Sequence, residues 1–140
     1  MEVIITENWE AAYIAGIIDG EGSITLTRMH AHENRRPCIT ISSTDIELLE
    51  YIKNLAGGSI NNKKNYKPEI HKNSFTLNIK QKDQVFHLLM DIYQFLRVQQ
   101  KKKRAEFILN HFNLVTKRNG KYTQKELEKK KKFEEDFFNL

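Results

Sequence analysis

Residues Tyr13 to Ser23 read Tyr-Ile-Ala-Gly-Ile-Ile-Asp-Gly-Glu-Gly-Ser, and this string constrains the chain more than any other stretch of it. An apolar, helix-compatible run carrying Ala15 and Gly16 breaks abruptly at two carboxylates and two further glycines. Ala15 and Gly16 have almost no side chain, so a second helix can approach their backbone closely. The break leaves the last carbonyls of a helix without intrahelical partners and places Glu21, with Asp19, beside them. Carboxylate and carbonyl oxygens are the donors that hard divalent cations prefer. The pattern therefore predicts a metal site at a helix–helix interface, and it occurs once in 140 residues.

Length and composition bound the rest. A chain of 140 residues with 39% hydrophobic and 29% charged residues is read as one domain, 1–140, large enough for a true core. No apolar run approaches the ~20 residues needed to span a bilayer, and the N-terminus lacks a signal-peptide pattern. No membrane partner and an intracellular setting are therefore expected. Cys38 is the only cysteine, which excludes an internal disulfide framework and a Cys-rich zinc site. His30, His32, His71, His87 and His111 form no i, i+4 pair flanking a Glu, so zinc-protease chemistry is not indicated. Neither a P-loop nor a dinucleotide fingerprint is present.

Charge points to a polyanion. The net charge is +5, with basic residues bunched at Arg35-Arg36, Lys63-Lys64, Lys101 to Arg104 and Lys129 to Lys132, a distribution that suits nucleic acid. The last cluster lies among Glu126, Glu128, Glu134 and Glu135 and reads as a solvated helix face.

Periodicity predicts a helix over Trp9–Asp19 with Asn8 as N-cap, ended by Gly20 and Gly22. Strands are predicted at Ser23–His30, Cys38–Ser42, Ser59–Lys64 and Ser74–Lys80 by alternation of apolar and polar residues. Helices follow at Asp45–Ala56, Lys82–Phe95, Lys101–Val115 and Thr123–Phe138. The fold class is α+β: an αββαββα order with a four-stranded antiparallel sheet, helices on one face of it, and extra helices at the C-terminus. The core is placed at about 8–115 and a helical extension at about 121–140. The opposite sheet face carries Ser23, Thr25, Thr27, Thr40, Ser42, Asn61, Lys63, Thr76, Asn78 and Lys80. Hydroxyls, amides and cations alternating along strands are suited to base edges and phosphates in a DNA groove.

The string Ile14-Ala15-Gly16-Ile17-Ile18-Asp19-Gly20-Glu21-Gly22 closely resembles the signature of the LAGLIDADG homing endonucleases, and the αββαββα order is that family's fold. The resemblance runs from about Trp9 to the helix around Ala105. It implies that Glu21 ligates a catalytic Mg²⁺ (or Mn²⁺), with the main-chain carbonyl of Gly20 as a further ligand. Glu stands where many members have Asp. The resemblance also implies a helix-end, structural role for Asp19 and close packing of paired motif helices through Ala15 and Gly16, so that Ala15, Gly16 and Asp19 are expected at a dimer interface. A catalytic lysine near the helix after the second strand pair is implied too; counting back from Ala105 selects Lys101, counting forward from Leu96 and Val98 selects Gln99, and Lys101 is taken as the catalytic residue, with Lys103 the reserve. Ser43 lies near a position where some relatives carry Gln. One motif in one chain implies a homodimer, hence a long, near-palindromic double-stranded DNA site cut across the minor groove to leave short 3′ overhangs. The alternative is a non-catalytic nucleic-acid binder of the same fold, an intron maturase or a repressor; an acidic residue at Glu21 argues for the nuclease.

Overall fold

The computed structural model describes residues 7–140, so the first six residues of the expected 1–140 domain lie outside the described residues. Ile14 and Ile18, with Ala11 and Ala15, form the inward stripe of helix α1 (Asn8–Glu21). This helix starts one residue earlier than expected and runs on through Gly20 to Glu21, the chain turning out of it at Gly22. A Cβ at Gly22 would sit 2.9 Å from the Ile18 Cα and 3.1 Å from the Thr40 carbonyl oxygen, so only glycine fits where helix passes into sheet.

Strands β1 (Gly22–Thr27) and β2 (Arg36–Ser43) form a hairpin, and α2 (Ile46–Ala56) then crosses the sheet. Ser43 Oγ accepts the Asp45 N–H ahead of that helix, and Gly57 and Gly58, at φ +86° and +97°, turn the chain out of it. Strands β3 (Ser59–Asn62) and β4 (Phe75–Ile79) follow. The sheet is antiparallel throughout, in the order β1-β2-β4-β3. Pro37 lies inside β2, opposite Leu26. It is tolerated because pairing with β4 stops at Ile39–Ile79, leaving the nitrogen of residue 37 on an unpaired edge.

Helices α3 (Lys82–Ile92), a 3₁₀ turn at Tyr93–Phe95, α4 (Gln99–Val115) and α5 (Gln124–Phe138) complete the chain. The core lies between the helices and one sheet face, where Ile24, Leu26, Ile39, Ile41, Leu77 and Ile79 are buried. No helix among the described residues is long and apolar enough to cross a membrane.

Helix α5 begins with a capping box: Thr123 accepts the Glu126 N–H, and the Glu126 carboxylate accepts the Thr123 N–H. The Thr123 N–H, followed by the Lys117 ammonium, holds the Glu126 carboxyl below the usual carboxylate range. Phe133 and Phe137 pack this helix against Phe107 of α4, and Phe133 also meets Phe112.

The basic run at 129–132 is not wholly solvated as expected. Lys130 is only 2% exposed, its ammonium over the Phe112 ring at 4.3 Å and bonded to the Thr116 hydroxyl. Helical phase puts it on the same inner face as Phe133 and Phe137. Burial pushes its pKa down to about 8, with Glu134 acting in the opposite direction. Below about pH 8 both folded and unfolded chains carry this proton, and the folded state bears the whole desolvation penalty. Between that pH and the ordinary lysine value near 10.5 the unfolded chain holds more protons, so this group's contribution to stability rises with pH. Lys130→Met is expected to raise Tm at pH 7 by roughly 4 °C or more. The advantage should shrink as pH is raised from 8 to 10.5, as denaturant titrations across that range will read.

Candidate active site and nucleic-acid interface

Glu21 is the last residue of α1 and is exposed. The carbonyls of the preceding turn have no downstream helical N–H to accept, apart from Ile18, which takes the Gly22 N–H. Lys101, half-buried in the first turn of α4, donates through Nζ to the Ile18 and Asp19 carbonyl oxygens, both at 2.8 Å. A cation there complements the negative end of the α1 dipole. The Asp19 carboxylate reciprocates, accepting the Arg97 N–H at 2.8 Å and the Val98 N–H at 3.1 Å. The two contacts tie the end of α1 to the start of α4, and they seat the Lys101 ammonium in the chain turn immediately before Glu21. Lys103 is exposed and Gln99 opens α4 as a neutral residue.

Among the described residues, no three His, Cys, Asp or Glu side chains converge on one point. One protomer therefore offers no all-protein metal cage. Glu21, with the main-chain carbonyl of the exposed Gly20 in the last helical turn beside it, fits a hard cation that completes its shell from phosphate and water.

The outer face of α1 differs from the face expected for contact with a second copy. Ala15 is 0% exposed and packs into its own protomer's core, so its assignment to a dimer interface is corrected. At 100° per residue it falls beside Ala11, on the side away from Ile14 and Ile18, at the edge of the buried stripe. Gly16 and Gly20 are exposed, and a Cβ added to either would meet nothing within 4 Å. Ala12, exposed one turn before Gly16, continues this line, and Trp9 (64% exposed) and Tyr13 (49%) flank it. Ala12 and Gly20 were not singled out in the sequence, where small residues at 11, 12, 15, 16 and 20 permit two small-residue faces. Asp19 is half-buried, its carboxylate engaged by the α4 backbone.

On the sheet, register brings the expected residues onto one face. Ser23, Thr40 and Asn78 stand side by side in β1, β2 and β4, and Ser59 of β3 completes the row. A second row is Ser42, Thr76 and Asn61. Hydroxyl pairs link neighbours at 2.6 Å (Ser23–Thr40) and 3.1 Å (Ser42–Thr76), and each hydroxyl keeps acceptor capacity for a ligand. Thr25 lies opposite Cys38 and Thr27 opposite Arg36, so Ser59, Arg36 and Cys38 also belong to this face. Strand alternation alone identifies them once β2 is extended to Arg36. Burial raises the Cys38 pKa, with Lys80 and the Thr27 hydroxyl pulling it back, so the thiol stays protonated.

Lys63 and Lys80 were expected within strands. They lie just past the ends of β3 and β4, although the Lys63 N–H still donates to the Ser74 carbonyl at 2.9 Å. The β3–β4 loop carries Lys63, Lys64, Lys67 and Lys72, and Asn65 orders it, donating to the His71 carbonyl at 2.8 Å and accepting the Lys67 N–H at 3.0 Å.

A helix ending in an exposed carboxylate thus leads straight into a sheet with one hydroxyl- and amide-bearing face. Residues 14–90 fit the model of the LAGLIDADG endonucleases. The chain belongs to the LAGLIDADG endonuclease family. Solved structures agree in fold. The homing endonuclease I-CvuI, bound to its target with calcium, aligns over 90% of this chain and 95% of its own at 15% identity and a TM-score of 0.59. The archaeal intron-encoded homing endonuclease I-Vdi141I, complexed with DNA, aligns over 94% and 84% at 18% identity and 0.62. The homing endonuclease I-TnaI aligns over 90% and 86% at 18% identity and 0.64. No match was found among curated proteins. In this LAGLIDADG protein the family segment ends within α3, so α4 with Lys101 and α5 lie beyond it.

Proposed function

We propose that this protein is a site-specific double-strand DNA endonuclease that works as a homodimer on a long, near-palindromic site, with Mg²⁺ or Mn²⁺. The observation that carries the reading is the continuity of α1 into β1. It puts an exposed carboxylate, Glu21, next to a helix face that is open in the protomer and at the near edge of a polar sheet face.

Pairing two copies through Ala12, Gly16 and Gly20 brings two Glu21 carboxylates to the two-fold axis. Each sheet then extends away from that axis along one half-site. Ser23, Thr25, Thr27, Thr40, Ser42, Asn61, Thr76 and Asn78 present donors and acceptors to base edges, and Lys63 and Lys80 at the strand ends meet phosphates. Glu21 and the Gly20 carbonyl hold the metal, which when bound supplies charge neutralisation at the scissile phosphate and lowers the pKa of water. Lys101, fixed at the end of α1, provides a positive charge beside the same phosphate. Its two bonds to α1 carbonyls leave one of three ammonium protons for that purpose.

A duplex selected by the protein from a random library, cloned into a plasmid and incubated with it, is expected to be linearised in Mg²⁺ and left intact in EDTA. Tight binding of that duplex without cleavage in Mg²⁺ or Mn²⁺ would instead establish a non-catalytic binder of the same fold.

A further inference from the structure

The C-terminal helix touches the DNA-facing hairpin. Arg35, in the loop between β1 and β2, donates from Nη1 to Glu134 Oε1 of α5 at 3.2 Å and lies over the Phe138 ring at 5.3 Å. Arg104 of α4 reinforces the junction. Its Nη1 donates to the Ile24 carbonyl of β1 at 3.0 Å, and its guanidinium lies 4.8 Å from the Phe137 ring and 5.9 Å from that of Phe138. A cleft of about 590 Å³ separates the loop from α5 elsewhere, so Glu134 and Phe138 act as struts across an open space rather than as part of a continuous core.

From Glu21, β1 leads the chain about 20 Å outward at ~3.3 Å per residue over Gly22–Thr27, a distance of about six base pairs. The loop at that distance carries Arg28, His30 and His32, all exposed, and its first and last neighbours, Thr27 and Arg36, form the end rung of the sheet. A loop of this kind is free to take several conformations unless something holds it. Among the described residues, the side-chain hydrogen bond that this loop makes outside its own hairpin is that of Arg35 to α5.

We infer that α5 is a positioning element for target recognition: Glu134 and Phe138 hold Arg35, and thereby set the loop that reads the outer base pairs of each half-site. This rests on the DNA-reading role proposed above. Neither residue touches the metal-binding carboxylate or the sheet rows near it, so the effect is confined to the outer positions.

The test is a position-resolved selection of bound duplexes from a random library, run with wild type, Glu134→Gln, Phe138→Ala and Phe138→Trp. Glu134→Gln and Phe138→Ala are expected to lower base discrimination about tenfold at the outer positions, the scale of one mismatch, with the central positions changed less than twofold. Phe138→Trp, which keeps a ring under Arg35, should restore outer discrimination to within twofold of wild type. Variants that match wild type everywhere, or that lose discrimination equally at centre and flank, overturn the positioning role. A wild type that selects no duplex at all overturns the DNA-reading role itself.

Discussion

Glu21→Gln is expected to slow DNA cleavage by roughly 10³-fold, the several kcal/mol that a metal's charge stabilisation is worth in a phosphoryl transition state. Gln has nearly the same shape, so what is lost is charge. A neutral amide oxygen is a poor ligand for a hard dication, and a dimer loses both carboxylates at once. Glu21 is exposed at the end of its helix, so folding stability should shift by no more than about 0.5 kcal/mol. Binding in EDTA is expected to stay the same or to tighten, because removing a negative charge near phosphates lessens repulsion. Single-turnover cleavage and gel-shift titrations on one selected site separate the two effects. Equal cleavage by the variant and wild type would remove Glu21 from the metal site.

Gly16→Leu should break the dimer and spare the protomer. Nothing within 4 Å opposes a side chain at Gly16 in one protomer, and leucine favours helix over glycine by about 0.8 kcal/mol. The protomer's Tm is therefore expected to hold or rise. Across a two-fold axis each copy would face the other's leucine, and overpacking of this sort costs about 1–3 kcal/mol per site. Dimer dissociation should be on the order of 100-fold easier, with cleavage lost in step. Analytical ultracentrifugation at matched concentrations reads the first effect and plasmid linearisation the second. A variant that remains dimeric at micromolar concentration would show that α1 is not the pairing helix.

Which parts of this were legible in the sequence depended on how local the determining physics is. Alternation at Ser23 to Thr27, at Cys38 to Ser42 and at Phe75 to Ile79 identified the strands and the outward polar set, because side-chain direction in a strand has period two wherever the strand lies. Strand ends were less legible: β2 reaches Arg36 through Pro37, since only the position of β4 shows that residue 37 needs no N–H. The string at 14–22 was specific enough to identify the family by itself.

Helical phase was the less determinate property. In α1, small residues occur at 11, 12, 15, 16 and 20, so composition permits two faces. The packing of α3, the 3₁₀ turn and the first two strands against α1 buries Ala11, Ile14, Ala15 and Ile18 and leaves Ala12, Gly16 and Gly20 open. The burial of Lys130 was equally out of reach, as its acidic neighbours suggested solvent while Phe133 and Phe137 draw that face of α5 onto α4.

The sequence by itself therefore determined the family, the α+β order and the carboxylate that ends the motif helix, all set by residues adjacent in the chain. Only the tertiary structure decided how that motif is used. It seats Lys101 on the carbonyls before Glu21, turns Ala15 inward and Gly16 outward, and braces the β1–β2 loop with α5. Each of these joins residues some 80 to 100 positions apart, or depends on which of two similar helix faces finds a neighbour, and no local pattern encodes that.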